Sequence, residues 1–247
     1  MLTEWRVPKT IQWLINLFAV YVIMFTLFRL AIVFFFKPPE LSFTALLPSF
    51  WLGLKYDLRW IAILLFPIAA SSMFKKLNPF YSKKTRNFWS IYLAVVTLIV
   101  LVFYGADFAQ FSTAHSRLNV DNMPPVKEYR NRLNYIWKTY PIVWISIGVV
   151  GAIMMLLFTF GRQRDYIEGR NKHIHKFSFR RRWHVIACLV LAFFIYGFFT
   201  AKPLRLDRAF EFDNNFKANL ALNPLQNYFT TRRIKREKEQ KMEEMAK

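Results

Sequence analysis

Five long apolar stretches, at approximately 11–36, 43–74, 88–112, 139–161 and 183–201, constrain this chain more than any other feature. Each is long enough to supply the ~20 helical residues that cross ~30 Å of hydrocarbon, so the expected fold is an all-α integral membrane protein with five transmembrane helices. Charged residues make up 20% of the chain beside 55% hydrophobic ones, a combination that suits a membrane protein only where charge is kept to the connections. Between the second and third stretches Lys75, Lys76, Lys83, Lys84 and Arg86 stand without an acid. Between the fourth and fifth come Arg162, Arg164, Arg170, Lys172, Lys176, Arg180, Arg181 and Arg182 against Asp165 and Glu168. The first connection holds only Lys37 and Glu40, and residues 113–135 mix Arg117, Lys127, Arg130 and Arg132 with Asp121 and Glu128.

Lys and Arg are retained on the cytoplasmic side during insertion, which places both strongly basic loops, and the N-terminus with Arg6 and Lys9, inside. An odd number of crossings then puts the C-terminus outside. The basic tail RRIKREKEQK begins about thirty residues past the last stretch, beyond the ~15–20 residues that dominate topology, and is kept outside. The net charge of +20 follows from the same positive-inside pattern and points to anionic lipid of the inner leaflet, with no nucleic-acid partner. Cys188 is the single cysteine and cannot form an intramolecular disulfide. The first apolar run is too long for the 7–15 residue core of a secretory signal, and reads as an uncleaved anchor.

The first span should end at Lys37-Pro38-Pro39, with Trp5 and Trp13 at the inner interface. Pro48 and Gly53 suggest that 43–54 forms an interfacial segment ahead of the true second span. The fourth span starts after Pro141, and the fifth stops before Lys202-Pro203. Residues 1–208 are thus the transmembrane domain. In 209–230, Phe212, Phe216, Leu220 and Leu225 recur at roughly helical spacing, which predicts a linker helix on the outer interface, broken or kinked at Pro224. Residues 231–247 read as a charged helical tail without an apolar face, a connector or a frayed end.

Chemistry concentrates in five ionisable residues inside or at the edges of the spans: Arg29, Lys55, Asp57, Arg59 and Asp107. A charge at hydrocarbon depth costs ~2.5–3.5 kcal/mol on insertion scales, so each is expected to have a partner. All five map to the outer leaflet under this topology, as a shared polar cavity opening outward would require. Lys55 and Arg59 are four apart and share a face, whereas Asp57 points elsewhere and should find its cation on another helix, with Arg29 the obvious choice. Two readings stay open. Arg29, Asp57 and Asp107 pair to lock helix packing while Lys55 and Arg59 snorkel, or Arg29, Lys55 and Arg59 receive a lipid-headgroup phosphate. His173, His175 and His184 lack the spacing and carboxylate company of a metal site, and His115 reads as a loop residue. No phosphate loop, nucleophile–His pair or clustered metal ligands are visible.

GLKYDLR at 53–59, ADF at 106–108 and NLALNPL at 219–225, in that order along five spans, resemble the membrane half of lipoteichoic acid synthase-like proteins of the sulfatase and alkaline phosphatase superfamily. The resemblance covers essentially the whole chain. It implies residence in the bacterial cytoplasmic membrane and a following extracellular catalytic domain, with a threonine nucleophile and a divalent metal, commonly manganese. That domain transfers phosphoglycerol or phosphoethanolamine from a membrane phospholipid. The sequence given stops at Lys247, where such a domain is expected to begin, so it is expected to be a truncated product, a natural half or an excised fragment. Thr230 and Thr231 do not occupy the nucleophile position, and no catalytic residue or cofactor is carried over. The expected role is an anchor for a sulfatase-like domain or subunit. A non-enzymatic scaffold whose tail docks a partner is the rival, and a transporter is disfavoured by the lack of an inverted repeat.

Overall fold

The structure, a computed structural model, describes residues 7–120, 142–170, 177–197 and 204–245, and every regular element among them is helical. These are α1 (Lys9–Phe36), α2 (Phe43–Ser71), α3 (Lys83–Ala114), α4 (Ile142–Arg170), α5 (Phe177–Tyr196), α6 (Asn215–Ala221) and α7 (Pro224–Met245), with 3-10 turns at Lys75–Leu77 and Leu206–Glu211. Trp5, Arg6, the mixed-charge residues of 121–135, Pro141, His173, His175 and Lys202-Pro203 lie outside the described residues. Helices α1 and α3, 28 and 32 residues long, are long and apolar enough to cross a membrane, and only 33% and 28% of their apolar windows are buried within the protein.

Three elements differ from expectation. The second stretch is one unbroken helix rather than an interfacial segment followed by a span. Pro48 falls in its second turn, where it forfeits a single backbone bond, and the Ser42 hydroxyl accepts from the Ala45 N–H at the helix start. Helix α4 runs on to Arg170, so Arg162 and Arg164 stand on a helix and not in a loop. The expected 209–230 helix is three pieces: the second 3-10 turn, α6 and the start of α7. Pro224 does not kink a helix but opens one. It occupies the first helical position, where a missing N–H costs nothing, and Asn223 caps it by accepting from Leu225 and Gln226 N–H.

The chain forms two compact units. The first comprises residues 1–29, 54–97 and 153–204. Here α1 buries Ile11, Leu14, Leu17, Tyr21 and Phe25 at helical spacing, and Ile61, Leu65 and Ile68 of α2 and Leu93 of α3 are buried in the same unit. Amphipathic side chains tie the elements by their polar ends. The Trp13 indole N–H donates to the Phe160 carbonyl at 3.1 Å, Tyr21 and Thr97 hydroxyls lie 2.9 Å apart, and the Tyr92 hydroxyl donates to the Leu64 carbonyl at 2.7 Å. Thr10 and Asn78 exchange hydrogen bonds of 3.1 and 2.8 Å.

The second unit comprises residues 30–53, 98–152 and 205–247. Its core joins Ile32, Val33, Leu46, Phe111, Phe216 and Leu220, with Phe36 and Phe108 packed on it. Phe216 and Leu220, from the residues after 204, pack here with residues of 30–53 and 98–120. Beyond Thr231, however, α7 is solvent-exposed along its length.

Helix α5 ends at Gly197, whose φ of 107° few side chains tolerate. A Cβ there would lie 2.6 Å from the Leu204 Cβ and 2.9 Å from the Arg59 Nη2. We expect Gly197→Ala to cost ~1–3 kcal/mol through strain alone, before any clash is counted. Denaturation in mixed micelles should show the loss, whereas Gly105→Ala, with open space around its Cβ, should leave stability unchanged or slightly raised.

Candidate functional site

The first unit brings together four of the five ionisable residues singled out from the sequence. Arg29 of α1 is 4% exposed and Asp57 of α2 is 2% exposed, and Arg29 Nη2 donates to both carboxylate oxygens, at 2.8 and 2.9 Å. Two groups that would each be costly to bury alone are buried together, and removing one would strand the other at about 3–5 kcal/mol. Two residues on from Asp57, Arg59 serves a different end. Its Nε donates to the Ile195 carbonyl at 2.8 Å, Nη2 to Tyr196 at 3.0 Å and Nη1 to Leu204 at 2.7 Å. The last carbonyls of a helix have no partner within it, so this guanidinium caps α5 and also holds the Leu204 carbonyl. Lys55, one turn earlier on the same face, is half-buried.

Asp107 belongs to the second unit and has its own arginine. It is 1% exposed, its Oδ2 is paired with Arg117 Nη1, and its Oδ1 accepts the Leu118 N–H at 2.9 Å. Arg117 is equally enclosed, at 2% exposure. The local backbone makes this possible: α3 ends at Ala114, and His115 takes a left-handed φ of 49°, turning the chain back so that Arg117 reaches the acid ten residues before it. His115 itself is exposed.

Arg117 also begins a polar ladder. Its N–H and Nε donate to the side chain and carbonyl of Asn219, at 3.1 and 2.8 Å. Four residues on, Asn223, fully buried, donates to the Tyr104 hydroxyl at 3.0 Å. Asn227 Nδ2 donates to the Leu118 carbonyl at 2.9 Å, and the Thr231 hydroxyl accepts the Val120 N–H at 3.2 Å. Asn223, Asn227 and Thr231 recur at i, i+4 from the cap of α7 onward, and Asn219 of α6 stands before the break at Leu222, so all four meet residues 104–120. From the sequence, NLALNPL stands out only through the family resemblance. The signal available for the ladder is that four-residue spacing of amides among leucines.

The motif residues GLKYDLR, ADF and NLALNPL are therefore the sites of the two buried acid–arginine pairs, the α5 cap and the ladder. Thr230 and Thr231 are engaged within α7, Thr230 with Gln226 and Thr231 with the carbonyls of Asn227 and Tyr228. His184 is 2% exposed in the first unit. Among the described residues no group of three or more His, Cys, Asp or Glu could hold a metal ion.

No protein-family model, no curated protein and no solved structure matches this chain.

Asn223 does two jobs, capping α7 with its oxygen and satisfying Tyr104 with its nitrogen, and they can be separated. Asn223→Ala should cost about 1–3 kcal/mol, the sum of a lost cap and a lost buried hydrogen bond to the Tyr104 hydroxyl. Asn223→Ser, which keeps a neutral cap acceptor but loses the amide donor, should fall between. Equal losses for the two variants, measured by detergent-mediated unfolding, would remove the capping role.

Proposed function

We propose that this chain is the membrane domain of a lipoteichoic acid synthase-like protein of the sulfatase superfamily. It crosses the bacterial cytoplasmic membrane five times, N-terminus inside, and holds an extracytoplasmic catalytic unit through α7. The observation that carries the proposal is the way α7 leaves the second unit. It starts at a buried cap, is tied by Asn223, Asn227 and Thr231 to residues 104–120, and then runs on exposed through 232–245. A helix fixed at its root and projecting from the body is what an anchor needs in order to hold a catalytic body at a set place.

The membrane location is supported by apolar side chains left uncovered on long helices: Ile23 and Leu27 at 59%, Ile91 at 65%, Met155 at 73% and Leu189 at 65%. In water such faces would drive association; in hydrocarbon they match their solvent. The orientation is supported by Lys75, Lys76, Lys83, Lys84 and Arg86 in one connection and Arg181 and Arg182 at the start of α5. A non-enzymatic scaffold is favoured by one observation of its own, the exposed tail, which would serve a docked partner equally well.

The lipid substrate on this reading is a phospholipid whose headgroup phosphate is met by basic side chains. Arg29 holds Asp57 and Arg59 holds three carbonyls, so substitution of either mixes phosphate binding with packing. Lys55, half-buried on the same face of α2 as Arg59, is the third candidate. In membranes carrying the natural protein together with its catalytic unit, Lys55→Ala should lower headgroup transfer from labelled phosphatidylglycerol severalfold at normal protein level, while Arg59→Ala should lower the amount of folded protein. No headgroup transfer from membranes containing the unsubstituted protein would exclude the transferase anchor and leave the scaffold. Unchanged transfer in Lys55→Ala would exclude the phosphate role alone.

A further inference from the structure

Three depressions in the first unit are linked by shared lining residues, and their chemistry changes from apolar to cationic along that series. The first is a groove of about 270 Å³ between α1 and α5, lined by apolar side chains including Leu14, Ile15 and Phe18 from one helix and Ile186, Val190 and Phe194 from the other. Ile186 also lines the second, which is walled by Arg181 and Arg182. Arg181 in turn lines the third, a small polar pocket with Ser72, Lys75, Asn78 and His184. The Ser72 hydroxyl is buried there and makes no hydrogen bond in the structure. A buried hydroxyl left without a partner costs free energy, and this pocket of about 10 Å³ has room for one water to serve it beside the cations.

We propose that this track holds one anionic phospholipid of the inner leaflet. An acyl chain lies between α1 and α5, and the phosphate lies by Arg181 and Arg182, with Lys75 adding positive charge beyond Arg181. This rests on the membrane reading above and adds a second lipid position, at the basic end of the protein and separate from Lys55. The apolar-to-cationic order selects the occupant. A free phosphate has no use for the groove, and a zwitterionic lipid brings a choline or ethanolamine cation against Arg181, Arg182 and Lys75. Acyl chains are already in apolar surroundings in a bilayer, so the groove supplies shape while the cations supply selectivity.

The test is native mass spectrometry of the full chain released from micelles containing equal phosphatidylglycerol and phosphatidylcholine. The unsubstituted protein should retain one phosphatidylglycerol in preference, and soluble glycerol phosphate should not displace it. Each of Arg181→Gln and Arg182→Gln should reduce that preference by about fivefold, the order expected for one interfacial cation. Val190→Trp should reduce retention of both lipids and leave the ratio alone. Equal retention of both lipids by the unsubstituted protein, or a ratio unmoved in both arginine variants, would overturn the proposal; Lys75→Gln gives the same reading should either arginine variant fail to fold. Displacement by glycerol phosphate would make this a soluble-phosphate site instead. Alkaline carbonate extraction separates the two levels of inference: a chain that stays in the membrane pellet yet shows no lipid preference overturns this proposal alone, and a chain washed into the supernatant overturns the membrane reading with it.

Discussion

A carboxylate among apolar helices is tolerated where a cation shares its burial, and the two compact units of this protein are each built around such a pair. Arg29 and Asp57 join α1 to α2 in the first unit, and Asp107 with Arg117 folds the chain back along the end of α3 in the second. Hydrophobic contact alone cannot fix the rotation of a helix whose whole surface is apolar, because nearly every face packs equally well. A buried ion pair breaks that equivalence, since most rotations would separate the charges at a cost of several kcal/mol. Packing details such as the α5 cap on Arg59 and the amide ladder on residues 104–120 are determined once those rotations are set.

The division of labour between neighbouring charges is instructive. Within five residues of α2, Asp57 is neutralised by a side chain of another helix, while Arg59 is spent on the carbonyls of a third. Both are consequences of helical geometry, which turns positions 55 and 59 to one side and 57 to another. The same rule at 223, 227 and 231, with Asn219 added from α6, converts three amides and a hydroxyl into a seam. Polar groups buried in this way specify a unique arrangement, because each has a particular partner and none can be left without one cheaply.

Much of this was legible in the residues. The apolar stretches marked the helices to within a few positions at 9–36 and 83–114, and the alternation of faces at 55, 57 and 59 directed Asp57 toward Arg29. Other features were hidden for identifiable reasons. Proline signals a break, yet Pro48 sits early enough in α2 to be absorbed and Pro224 sits where it begins a helix. Arg117 looked like a loop charge, since only the left-handed turn at His115 brings it to Asp107. The capping role of Arg59 depends on where α5 ends, which local sequence around residue 59 does not contain.

The most direct test of this account is a charge exchange across the Arg29–Asp57 pair. Arg29→Asp and Asp57→Arg should each abolish or sharply reduce cooperative unfolding of the purified protein in mixed micelles, because each places two like charges in a site that water scarcely reaches. The double exchange should recover most of the stability, with a coupling of about 3 kcal/mol or more. Losses that simply add in the double variant would contradict the claim that this pair sets how the helices pack.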